Sequence, residues 1–156
     1  MRFMVIRKAD EETEAGVLPS QELLDAMGRY NEEMIKAGVM LSGDGLMASD
    51  KGAKVHFSGG GKTTVIDGPF AEAKELIAGY SIIEVDSLAD AIEWVKKWPV
   101  EDGHGNVEIE ILRVAEIEDF GDAMTDENVD HTQRLRAVSD DSLRKLREPG
   151  DQSGKE

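Results

Sequence analysis

The chain has 156 residues and a mass of 17.1 kDa, enough for one domain of ordinary size with room for an extension. It contains no cysteine, which excludes disulfides, thiolate catalysis and cysteine-based zinc sites. Asp and Glu number 33 against 18 Lys and Arg, a net charge of −15 that would repel phosphate backbones, so nucleic acid is not an expected partner. No run approaches the ~20 apolar residues of a membrane span. The opening Met1-Arg2-Phe3-Met4-Val5-Ile6-Arg7-Lys8 is too short and too charged for a secretory signal, which makes the cytoplasm the expected location.

In chain order, Phe3-Met4-Val5-Ile6 reads as a strand with apolar residues on both faces. A helix follows, with Ser20 as its cap and Leu23, Met27, Tyr30 and Met34 as an apolar stripe at steps of four, three and four. Gly38 stops it. Val39-Met40-Leu41 is a short strand that runs into a turn-rich piece, Ser42-Gly43-Asp44-Gly45. Lys54-Val55-His56-Phe57 and Thr63-Thr64-Val65-Ile66 form a hairpin about the glycines at 59–61, and Asp67-Gly68-Pro69-Phe70 is a turn. Tyr80 to Val85 is a strand. Ser87-Leu88-Ala89-Asp90 caps a second helix that carries Leu88, Ala91, Ile92, Val95 and Trp98 on one side and ends at Pro99. Val107-Glu108-Ile109-Glu110-Ile111 alternates strictly, as a half-buried strand does. The expected fold is α+β: a ferredoxin-like βαββαβ sandwich with extra hairpin strands, its helices covering one sheet face.

Charge and texture change near residue 115. Residues 1–115 carry 12 basic and 21 acidic groups, and residues 116–156 carry 6 and 12 at higher density. We therefore expect a domain over 1–115 and an acidic C-terminal extension over 116–156. The extension opens with a solvated acidic linker, holds one short amphipathic helix around Leu135, Val138, Leu143 and Leu146, and frays at its end.

The sheet face away from the helices needs a cover, because the first strand is apolar on both sides. A second copy is the economical one, giving a two-fold homodimer. A ligand or the C-terminal helix are the other candidates. If Ile83 and Val85 pack on the helices, Tyr80, Ile82 and Glu84 look into the open side, together with Glu108 and Glu110. Tyr80 and Glu84 are thus candidates to line a small-molecule pocket, although acids solvated near a sheet edge are the commoner outcome.

Gly59-Gly60-Gly61-Lys62-Thr63-Thr64 is not a phosphate loop. The glycine required five residues before Gly61 is His56, and the segment after it reads as strand. No two of His56, His104 and His131 have helical metal-ligand spacing, and the acidic stretch lacks the spacing and central glycine of a calcium loop, so neither a metal nor a cofactor is expected. For cofactor-free proton transfer, His56 is the histidine placed inside the predicted sheet, although a purely structural histidine is the commoner outcome there. Asp67 leaves a strand on a turn stiffened by Pro69. It would serve as base or anchor, or cap the turn by accepting backbone N–H groups. Glu72 and Lys74 lie just beyond, able to complete a site, with Lys74 holding an anion, or to pair on the surface.

Asp67-Gly68-Pro69-Phe70-Ala71-Glu72-Ala73-Lys74-Glu75, with Gly79-Tyr80 and Glu93-Trp94, resembles the YCII-related family in its DGPF-motif branch. Met1-Arg2-Phe3-Met4, Glu14-Ala15-Gly16, Ala37-Gly38-Val39, Gly43-Asp44-Gly45-Leu46 and Phe57-Ser58-Gly59-Gly60 fit as well, and the resemblance runs to about Phe120-Gly121. It implies a ferredoxin-like fold and a dimeric α+β barrel. The wider group was proposed to be enzymatic because some members pair a His with an Asp in a cleft. Related barrels include cofactor-free isomerases, lyases and monooxygenases. The DGPF branch is often encoded beside, or fused to, extracytoplasmic-function sigma factors. Asp67 carries over as the motif aspartate. The group's early histidine has no counterpart, since the first histidine is His56, and Met47-Ala48-Ser49 stands where the branch usually has a proline. Two functions are therefore expected to compete. One is a dimeric barrel binding a small polar or aromatic metabolite, with isomerase- or lyase-like acid–base chemistry. The other is a non-catalytic binding or regulatory module linked to a sigma factor.

Overall fold

The computed structural model describes residues 1–71 and 75–147. By internal contacts the chain forms two units, one from Met1 to Val114 and one beginning at Ala115. The first holds strands β1 (Arg2–Lys8), β2 (Met40–Gly45), β3 (Ala53–Ser58), β4 (Lys62–Asp67), β5 (Ile77–Glu84) and β6 (Ile109–Arg113). Its helices are α1 (Glu11–Glu14), α2 (Gln21–Lys36) and α3 (Leu88–Val95). Four strands make an antiparallel sheet in the order β2-β5-β1-β6, and β3 and β4 pair separately as a hairpin. Central β1 lies between β5 and β6, and each helix connects two strands that are not neighbours, which is the ferredoxin-like arrangement expected.

The core lies between the sheet and the two longer helices. Phe3 and Val5 of β1, Ile83 of β5, Tyr30 and Met34 of α2 and Ala91 of α3 are buried together with Val39. Ile109, Ile111 and Val85 pack against them. Each large apolar side chain taken from water here is worth about 1.5–3 kcal/mol. The Tyr30 hydroxyl donates to the Trp94 carbonyl oxygen at 3.1 Å, and its ring meets Trp98 edge-on at 5.6 Å. Burial, with the Glu33 charge second, pushes the Tyr30 phenol up to about 12. Ser20 caps α2 by accepting from the Leu23 N–H. Gly38, at φ 70°, ends it as the amides of Gly38 and Val39 bond the carbonyls of Ile35 and Met34.

Several expectations need correction. Ser42-Gly43-Asp44-Gly45 is not a turn but the continuation of β2. Gly43 permits it, because a Cβ there would lie 2.8 Å from the Met40 side chain and 2.9 Å from that of Ser81. Strand β6 runs two residues later than the alternation suggested, leaving Val107 outside it. In α3, Leu88 and Ile92 are exposed, and the helix ends at Val95, so Trp98 packs from the turn beyond. The second unit holds a 3-10 segment over Ile117–Ala123 and helix α4 (Asp126–Arg147). That helix is far longer than the short one expected and takes in the end of the acidic stretch.

One buried ion pair ties the first unit together. Arg7 sits on the helix side of β1, at 7% exposure, and donates from Nε and Nη2 to Asp102 at 3.1 and 2.7 Å. Its Nη2 also reaches Asp10 at 2.7 Å and Nη1 reaches the Lys8 carbonyl at 2.6 Å, while Trp98 Nε1 donates to Asp102 at 2.9 Å. Burial works against the charged guanidinium, but the hydrogen bonds and charges of Asp102 and Asp10 raise its pKa overall. Asp10 in turn caps α1 by accepting from the Thr13 N–H at 2.9 Å. Burial would raise its carboxyl, but Thr13 and Arg7 hold it below the usual 3.8.

The hairpin is anchored by a second polar clamp. The Glu14 carboxylate accepts from the Ser49 N–H at 3.2 Å and from its hydroxyl at 2.6 Å, and the same hydroxyl accepts from the Phe70 N–H at 3.0 Å. Gly68 donates to the Gly52 carbonyl at 2.9 Å, and Lys54 Nζ lies 4.4 Å from the centre of the Phe70 ring. A Cβ on Gly68 would fall 1.7 Å from the Ser49 carbonyl oxygen, so only glycine fits. The Asp67-Gly68-Pro69-Phe70 segment and Glu14 thus meet at Ser49.

Urea unfolding checks both clamps. Arg7→Met leaves two carboxylates without their cation and is expected to cost about 3–5 kcal/mol. Gly68→Ala is expected to cost roughly 1–3 kcal/mol through forced backbone movement, and an unchanged midpoint in either variant contradicts the clamp concerned. The lowered Asp10 carboxyl stabilises the fold fully above its ordinary pKa, and the effect is lost as pH falls through the lower folded value. The stability gap between the wild type and Asp10→Asn is therefore expected to be complete at pH 7 and to close below 3.8; a gap independent of pH contradicts it.

Candidate functional site

Cross-strand partners in an antiparallel sheet share a face. With Phe3 and Val5 turned to the helices, Arg2, Met4, Ile6 and Lys8 of β1 point the other way. The pairing Met4↔Ile82 and Met4↔Leu112 makes an apolar row, continued by Ser42 opposite Ile82. The next row along holds Asp44↔Tyr80, Tyr80↔Ile6 and Ile6↔Glu110. At the other end Arg2 lies opposite Glu84. The face away from α2 and α3, the helix-free face within this unit, is thus an apolar floor with a polar row beside it.

That polar row has its own bonds. The Tyr80 hydroxyl donates to Asp44 Oδ2 at 3.4 Å, and Lys8 Nζ pairs with Glu110 at 3.4 Å. The Lys8 side chain is 14% exposed, its stem lying along the sheet and its charge at the row. A cleft of about 340 Å³ opens at the same end of β1, with Lys8, Asp10 and Glu108 in its wall. A second groove of about 240 Å³ lies on the helix side, by Arg29 and Tyr30. There Lys97 already pairs with Glu33 and lies over the Trp94 ring, so those charges are matched within the fold.

Asp44 belongs to this site and was not singled out from the sequence. Strict alternation from Met40 would place it on the core side. The β2–β5 register shifts between Met40 and Ser42, which leaves Leu41 as an extra residue. Met40 then packs on the core while Ser42 and Asp44 face the other side. Nothing in the residues at 40–45 announces a bulge, so alternation alone had no means of finding Asp44.

The residues singled out from the sequence are dispersed. Tyr80 lies in the polar row. Glu84 is on the same face, four residues along β5, at the far end of the apolar floor. His56 and Asp67 belong to the hairpin and are both exposed. The pairs His56↔Thr64 and Ala53↔Asp67 stand three positions apart, so the two side chains leave opposite faces of the ribbon. They form no His–Asp pair within one chain. Glu72 and Lys74 lie outside the described residues. Among the described residues, no cluster of three or more metal-ligating side chains is present, and no helix is long and apolar enough to cross a membrane.

No curated protein matches this chain. Among solved structures, 5-chloro-2-hydroxyhydroquinone dehydrochlorinase (TftG) from Burkholderia phenoliruptrix AC1100, in complex with 2,5-dihydroxybenzoquinone, is similar at 14% identity and a TM-score of 0.36. The likeness covers 74% of this chain and 95% of the other. The model of the YCII-related domain matches residues 1–115. With most of its length accounted for in that way, the chain belongs to the YCII-related family.

Proposed function

We propose that the helix-free sheet face binds a small polar aromatic metabolite, enclosed when two copies pair through this face, and that Asp44 and Tyr80 carry out cofactor-free proton transfer on it. The observation that carries the reading is the Tyr80 hydroxyl set against Asp44 beside a floor of Met4, Ile6 and Ile82. An apolar floor with a few convergent polar groups is the usual make-up of a small-molecule site. The aromatic ring would lie on the aliphatic side chains and its oxygens would meet the polar row.

The chemistry is that of a tautomerase or lyase. Asp44 accepts a proton from carbon, and the electron pair moves onto a neighbouring carbonyl oxygen. Lys8 steadies the charge that develops there, and once the Asp44 carboxyl holds the proton the Tyr80 hydroxyl turns from it and donates to that oxygen. In a tautomerase, return of the proton at a second position completes the balance; in a lyase, the carbonyl re-forms and the electron pair expels from the neighbouring carbon a leaving group, which takes up the proton. Asp67 is in this reading an anchor for the turn, and Glu84 bounds the floor.

Catechol is a suitable probe, with one ring for the floor and two hydroxyls for the row. The wild type is expected to bind it at about millimolar strength, read as shifts of side-chain methyl resonances of Ile6 and Ile82. Asp44→Ala and Tyr80→Phe are each expected to weaken it about tenfold or more. Absence of binding, or equal binding by all three proteins, contradicts the reading and favours a regulatory module that acts through its surface, with a sigma factor as the candidate partner.

A further inference from the structure

We propose that the β3–β4 hairpin is an arm that crosses to a second copy and closes its Asp44–Tyr80 site, with Phe57 as the aromatic wall over the ligand. This rests on the site proposed above, and it adds that the site is incomplete within one chain.

The hairpin does not cover its own body. Phe57 is 76% exposed, Val65 63% and Val55 51%. The register Val55↔Val65 and Phe57↔Thr63 puts these three side chains on one face of the ribbon, so they form an exposed apolar face among the described residues. Such a face on an otherwise acidic, soluble surface calls for a partner.

Charge selects the occupant. The hairpin strands hold Lys54 and Lys62 against the one carboxylate of Asp67 at the base, in a chain whose net charge is −15. Everything outside the hairpin carries the excess of acid, so another copy is an attractive surface for it. On that copy the helix-free face offers apolar Met4, Ile82 and Leu112, the last 55% exposed, with the carboxylates of Asp44 and Glu84 beside them. Apolar face meets apolar floor, while Lys54 and Lys62 on the other face of the ribbon give the arm a net positive charge towards an acidic partner.

Reach agrees. Six paired residues extend roughly 20 Å at about 3.3 Å each, whereas four strands span roughly 15 Å. The arm is longer than the sheet is wide. β2 ends at Gly45, one residue past Asp44, where Leu46 N–H bonds the Ala78 carbonyl at 2.8 Å, and the arm begins at Ala53 after a 3-10 segment over Ser49–Lys51. The Glu14–Ser49–Phe70 clamp holds its base, so its direction is set by the fold.

The absence of cysteine makes the test clean. Phe57→Cys, carrying a mass tag, and Asp44→Cys are coexpressed and oxidised without ligand. Both positions are exposed, so both variants are expected to fold. A covalent dimer of mixed mass on a non-reducing gel is expected. Monomers alone, or tagged dimers joined tip to tip, overturn the arm. So does a double variant that closes a disulfide within one chain. Catechol gives a second readout: a coexpressed mixture of Phe57→Ser and Tyr80→Phe is expected to recover binding in one site per mixed dimer, which a site closed by its own hairpin cannot do. Cross-linking needs no ligand. A cross-link without catechol binding by the wild type therefore refutes the ligand reading and supports the arm, and binding without a cross-link does the reverse.

Discussion

A four-stranded antiparallel sheet has two faces, and in this chain two helices cover only one of them. β1 is the strand on which the consequence is written. Phe3 and Val5 go into the core, and Met4 and Ile6 go to the opposite side, away from α2 and α3. Ile6 is nonetheless 7% exposed, because its neighbours Tyr80 and Glu110 flank it across the sheet. An apolar centre with a polar margin is thus built into the face that the fold leaves open. The proposed function follows from asking what sits on it.

The buried charges serve the architecture rather than that face. Arg7 is on the core side and its donors are committed to Asp102, Asp10 and the Lys8 carbonyl. Through Asp102 it holds Trp98, beyond α3, and through Asp10 it holds the start of α1. The last residue of α1 is Glu14, which grips Ser49 and through it the amide of Phe70. A chain of polar contacts therefore runs from the central strand to the base of the hairpin. It gives the motif around Asp67 a structural purpose: Gly68 and Phe70 are docking points, and Asp67 is exposed at the end of β4.

Much of this was legible in the sequence, and the failures share a cause. The two apolar faces of β1, the parity of β5, the stripe Tyr30–Met34, the stop at Gly38 and the hairpin about its glycines follow from period and turn chemistry, both local properties. Asp44 was not legible, because a bulge at Leu41 inverts the parity on which such reasoning relies. Gly43 looked like a turn residue when its need is steric, set by Met40 and by Ser81 on another strand. Arg7 and Asp102 are 95 residues apart, and no pattern along the chain joins them. His56 and Asp67 were separate candidates, and the register of the hairpin sets their side chains on opposite faces.

The account stands on the open sheet face being covered by another copy of the chain. Sedimentation equilibrium at micromolar concentration measures this without reference to any ligand. A mass of twice 17.1 kDa that falls to one chain when Ile82 is replaced by glutamate is the predicted result. A wild-type mass of 17.1 kDa, or a dimer indifferent to a charge at Ile82, contradicts it.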